Sequence, residues 1–108
     1  MSALGSAQPV DRVYVVETIP ALQGKGEELR AELTKLVPVC QEEKGCISYK
    51  LFQDRANPAI FTVIMCWEHR AAYAAHNEAP HIAVFAKKFR NILYKDAQIS
   101  ENTYRRLV

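Results

Sequence analysis

The segment Ala59 to Trp67 (AIFTVIMCW) constrains the fold most, because it is apolar on both sides of a strand. Alternate residues of a strand point to opposite faces. Ile60, Ile64 and Cys66 therefore lie on one side, and Phe61, Val63, Met65 and Trp67 on the other. Arg12 to Ile19 (RVYVVETI) reads the same way, with Val13, Val15 and Ile19 opposite Tyr14 and Val16. An antiparallel sheet with one solvated face alternates apolar and polar residues. This sheet needs cover on both faces, and the helices of one small domain can cover only one. The expected cover for the second face is the same sheet from another copy, in a homodimer.

The remaining elements complete a single domain over residues 12–108, preceded by a polar tail, Met1 to Asp11, read as flexible. Pro20 stops the first strand, and Gly24 and Gly26 flank the start of a helix whose first turn carries Glu27 and Glu28. Acidic groups favour that positive end. Leu29, Leu33, Leu36, Val37 and Cys40 recur at helical spacing; Pro38 within them predicts a kink or an early end. Gly45 closes the segment. Cys46 to Gln53 is a second strand, joined to the third through Asp54-Arg55-Ala56-Asn57-Pro58, which is turn chemistry. Glu68 to Asn77 reads as a short helix, and Pro80 restarts another with Ile82, Phe85, Phe89, Ile92 and Leu93 on its buried face. Asp96 to Tyr104 is a weaker fourth strand. The order β-α-β-β-α-β, with the second helix broken, is the ferredoxin-like split βαβ plan of the α+β class.

Charge is nearly balanced, 14 basic against 12 acidic residues, so no polyanion-binding surface and no nucleic-acid partner are expected. No apolar run approaches the roughly 20 residues of a membrane span, and the tail lacks the pattern of a signal peptide. Cys40, Cys46 and Cys66 form no CxxC pair; buried free thiols in a reducing cytoplasm are the expectation, although a Cys40–Cys46 bridge across Gly45 is conceivable.

Chemistry concentrates between Trp67 and His81. His76 follows Ala72 and Tyr73 at helical spacing, so it shares their sheet-facing side. His81 sits in the first turn after Pro80, where the positive helix end disfavours imidazolium and keeps the ring able to accept a proton. Both are candidate catalytic bases, set against the plainer reading that they bind backbone at a helix junction. His69 is a helix-start capping group without a role. No metal is expected: His76 and His81 are five apart across a proline, no acidic residue stands at a supporting spacing, and Cys66 and His69 complete no set. Gly24-Lys25-Gly26 is a turn into a helix rather than a phosphate loop. No GxSxG and no nucleophile beside a base supports acyl transfer. Trp67, Tyr49, Phe61, Tyr73 and Phe85 are core residues by default and candidates for a pocket wall. Glu17 or Thr18 must face inward, and Glu17 is either an interface ion-pair member or a pocket acid/base group.

These features together resemble the antibiotic biosynthesis monooxygenase family over residues 12 to 104. The resemblance rests on Gly24-Lys25-Gly26-Glu27, Lys44-Gly45-Cys46 before Tyr49, Asp54, Asn57-Pro58, Phe61, Trp67, Ala72, His76 and Pro80-His81. It implies a dimeric α/β barrel formed by two antiparallel sheets, with a pocket in each subunit. The implied activity is oxygenation of a small quinol-like or polyphenolic aromatic by dioxygen, without metal, flavin or haem. His76 or His81 would be the base, Trp67 and Tyr49 would frame the ring, and Asn77 could orient an imidazole or an oxygen. The family often carries Glu two residues before the tryptophan, where this chain has Met65. Relatives that degrade haem use an Asn on the first strand, which here holds Glu17 and Thr18. Isomerases of phosphorylated sugars would need more phosphate-reading cations. The alternative of a different class is a non-catalytic binding or stress-associated dimer.

Overall fold

A computed structural model of the chain describes residues 11–105 and 107–108; the expected N-terminal tail lies outside them, apart from Asp11. The elements are β1 (Asp11–Pro20), α1 (Gly26–Gln41), β2 (Cys46–Gln53), β3 (Ile60–Trp67), α2 (Arg70–Asn77), α3 (Pro80–Phe89) and β4 (Gln98–Arg105). The four strands form one antiparallel sheet in the order β2-β3-β1-β4. This is the ferredoxin-like α+β arrangement, with its second helix broken at Glu78 and Ala79.

Local chemistry explains the boundaries. In the β2–β3 hairpin, Asp54 Oδ1 accepts from the amides of Ala56 (2.7 Å) and Asn57 (2.9 Å), the self-capping that Asx residues provide. His69 caps α2: its Nδ1 accepts from the Ala72 amide at 3.2 Å, so the helix begins at Arg70 rather than Glu68. Pro80 occupies the first turn of α3, where a missing amide donor leaves no bond unmade. Pro38 neither ends nor splits α1, which continues to Gln41.

The end of α3 departs from the apolar spacing. The helix stops at Phe89, and Asn91 takes a positive φ of 66° that turns the chain. Ile92, expected on the buried face, is thereby exposed, whereas Leu93 is fully buried. Arg90 pairs with Asp96 at 2.8 Å, which holds Asp96 in the connection, so β4 starts at Gln98.

The core lies between the helices and one sheet face. Val13, Val15, Ile19, Val63, Met65 and Trp67 are buried there against Leu29, Leu33 and Cys40 of α1. The register Val15↔Met65 and Glu17↔Ile99 places Glu17 on this face and Thr18 on the other. The opposite face carries Val16, Ile64, Phe52 and Tyr104, which are 41%, 42%, 47% and 54% exposed. All three cysteines are free, so no Cys40–Cys46 bridge is present. Among the described residues, no helix is long and apolar enough to cross a membrane.

Candidate functional site

Trp67 ends β3 wholly buried, and its indole Nε1 has no hydrogen-bond partner among the described residues. The short helix α2 lays His76 against it. The ring centroids lie 4.8 Å apart, with Tyr49 at 5.8 Å and Tyr73 at 6.3 Å from His76. His76 is only 4% exposed. A buried imidazole needs a polar partner.

That partner is Glu43, in the turn after α1. Its Oε2 lies 2.8 Å from His76 Nδ1 and 2.7 Å from His81 Nε2. A carboxylate can only accept, so both rings donate to one oxygen. Burial by itself would raise the Glu43 carboxyl, but the hydrogen bonds from His76 and His81 outweigh it and hold the group below the usual carboxylate range. With its proton committed at Nδ1, a neutral His76 keeps its lone pair on Nε2. That atom has no hydrogen-bond partner among the described residues.

His76 also borders a cavity of about 210 Å³ between sheet and helices, with Glu17, Tyr49, Met65, Tyr73, Asn77, Phe85 and Tyr94 in its wall. An apolar cavity of about 150 Å³ suffices for benzene, so a small aromatic ring fits. Burial raises the Glu17 carboxyl, which favours its neutral, donating form. Burial likewise raises the phenols of Tyr49, Tyr73 and Tyr94. These hydroxyls can donate or accept hydrogen bonds but do not serve as bases near neutrality.

The expected site residues separate into three groups. His76, Tyr49, Tyr73, Phe85 and Glu17 meet at the cavity. His81 reaches Glu43 from a neighbouring groove between α1 and α3, which shares Leu36 and Phe85 with the cavity. Trp67 stands behind His76 rather than in the cavity wall, and Phe61 lies at the other end of β3 near Arg30, Thr34 and Leu51. Met65 presents a thioether to the cavity. Sequence reasoning missed Glu43 and Cys40. The absence of a supporting acidic residue near the histidines holds only along the chain: Cys40, Glu43, His76 and His81 bring one ligand atom each within 4.8 Å of one another. One signal was present. Glu42 and Glu43 follow the C-terminus of α1, the end at which negative charge is disfavoured, and no basic residue occupies its last turn. A carboxylate held there implies donors brought from elsewhere.

The family model described as antibiotic biosynthesis monooxygenase matches residues 12–88, which takes in β1 from Arg12, all of α1, β2, β3 and α2, and the whole Glu43–His76–His81 node. The chain belongs to this family. The Synechocystis protein sll1783 is 30% identical over 89 residues, covering 82% of this chain and 60% of the relative. The chain thus spans about three fifths of that protein's length. YcnE of Bacillus subtilis, provisionally named a monooxygenase, is 32% identical over 69 residues, covering 64% of this chain and 73% of YcnE. Among solved structures, PA3566 from Pseudomonas aeruginosa superposes with a TM-score of 0.81 at 29% identity, covering 94% of this chain and all of that one. The shared fold is the ferredoxin-like one.

Proposed function

We propose that the chain is a cofactor-independent monooxygenase of a small quinol-like aromatic, with His76 as the base. The observation that carries this reading is the 2.8 Å contact between His76 Nδ1 and Glu43, beside an aromatic-walled cavity. A carboxylate on one imidazole nitrogen fixes the tautomer, leaves the other nitrogen as acceptor and stabilises the imidazolium that forms. His76 Nε2 takes a hydroxyl proton from the quinol. The electron-rich anion passes an electron to dioxygen, and the resulting radical pair joins to form a C–O bond. Loss of water from the hydroperoxide leaves a hydroxyquinone. The quinol supplies all four electrons, one oxygen atom stays on the ring and the other leaves as water, so the balance needs no external reductant. Tyr49, Tyr73 and Phe85 hold the ring, and Glu17 donates to the oxygen at its far end. His81 orients Glu43.

Oxygen uptake with menadiol, measured above autoxidation, tests this directly. Wild type should consume one dioxygen per quinol; His76→Ala with His81→Ala, folded and at wild-type rate, would sink the assignment.

The working form is proposed to be a cytoplasmic homodimer. The exposed apolar side chains of the open sheet face support it, since a second copy would cover them. A monomeric mass by light scattering at micromolar concentration would count against it.

A further inference from the structure

The Glu43 node has a second chemistry. Cys40 and Glu43 stand one turn apart at the end of α1, and His76 and His81 flank the α2–α3 break. One ligand atom from each, a thiol sulfur, a carboxylate oxygen and two imidazole nitrogens, lies within 4.8 Å of the others. We propose that these four side chains form a binding site for a divalent transition metal of the zinc class.

The donor set selects the ion. Two imidazoles, a thiol and a carboxylate are the ligands of tetrahedral zinc, whereas magnesium and calcium take oxygen. Thiolate and carboxylate together carry two negative charges, so a bound dication leaves this buried place neutral. The site also lies past the C-terminus of α1, the negative end of that helix. Bond lengths of about 2.0–2.3 Å give ligand-to-ligand edges of about 3.3–3.8 Å. The widest present separation exceeds that by about 1 Å, within reach of side-chain rotation. Glu43 must swing away from its place between the rings, because its 2.7–2.8 Å contacts are hydrogen bonds rather than edges of a coordination tetrahedron. The His81 side chain, 26% exposed, supplies the way in.

Cys40 is wholly buried, which makes it inert as a nucleophile. A metal ion would displace the thiol proton, as thiol ligation requires. Metal at His76 Nδ1 would also move the ring proton to Nε2, turning the proposed base into a donor. Metal binding and quinol deprotonation are then mutually exclusive, a consequence that rests on the oxygenase reading, although the site itself does not.

Titration of the full chain with Co²⁺ tests the site independently of activity. The expected result is one cobalt per chain, with the intense visible bands of a tetrahedral ion and a thiolate charge-transfer band. Cys40→Ser should abolish the charge-transfer band. His81→Ala, at a partly exposed position, should weaken binding by more than about 100-fold, beyond the loss typical of an outer-shell partner. Cys46→Ser should leave the spectrum unchanged. No tetrahedral spectrum in wild type, or a charge-transfer band that survives in folded Cys40→Ser, would overturn the proposal. One equivalent of Zn²⁺ should stop menadiol-dependent oxygen uptake, and a chelator should restore it. Continued turnover by protein with the cobalt spectrum would leave the site standing and remove the His76 base.

Discussion

The two faces of the sheet are built from the same strands and differ in what they exclude. On the helix-covered face, Val13, Val15, Val63 and Trp67 are sealed, and the polar groups admitted there, Glu17, Glu43 and His76, sit at the cavity or at a hydrogen-bonded node. On the open face, Val16, Ile64, Phe52 and Tyr104 remain exposed, and Tyr14 and Tyr104 lie with ring centroids 5.5 Å apart. One face concentrates chemistry by burying it. The other offers apolar area for association. Alternation along β1 and β3 lets a single strand serve both, so a substitution's effect should depend on the parity of its position as much as on its size.

The covered face is the more sensitive of the two. Replacing His76 with Ala, or Glu43 with Gln, should lower quinol-dependent oxygen uptake by about 10²–10⁴-fold, the usual worth of a positioned base, with the dimer mass retained. Next is Trp67→Ala, which removes a wholly buried ring and should destabilise the fold by about 3–5 kcal/mol in urea unfolding. Trp67→Phe should cost much less, because it also removes the unpaired Nε1 donor. On the open face, Ile64→Glu would bury an unpaired charge in the proposed interface. It should shift the light-scattering mass toward monomer while far-ultraviolet circular dichroism stays native. A dimer indifferent to Ile64→Glu would break the assignment of association to that face.

The smallest effect concerns Glu17. Burial raises its folded-state carboxyl above the ordinary 4.5, so the folded chain binds this proton more tightly than the unfolded chain. Its contribution to stability therefore rises as pH falls from the raised value toward 4.5, and opposes folding above that window. Glu17→Gln should raise the melting temperature at neutral pH and flatten its dependence in the mildly acidic range. Melting curves across that range check the sign; a lower melting temperature for the variant at neutral pH would show that the carboxylate is stabilised instead.

Much of this was legible along the chain. β-Branched runs and turn residues located β1, β2 and β3 to within a residue, because strand and turn chemistry are local. The face shared by Ala72, Tyr73 and His76 followed from helical spacing, and all three are buried. Glu43 was not legible, because its partners lie 33 and 38 residues away and no periodicity links a post-helix turn to a later helix junction. Phe61 and Trp67 illustrate the other limit. Strand parity gave their face correctly but not their distance along the strand from the cavity, which depends on where α1 and α3 part. Ile92 lost its expected burial to one left-handed residue, Asn91, that spacing cannot reveal.

Gly45 joins the two halves of the node. Its φ of 85° lies in the left-handed region, and a Cβ built on it would come within 2.5 Å of the Ala72 Cβ. Its carbonyl also accepts from the Glu68 amide at 2.8 Å. It sits two residues after Glu43, while Ala72 sits one turn before His76, so this single absent methyl acts as the gauge block that sets the carboxylate-to-imidazole spacing.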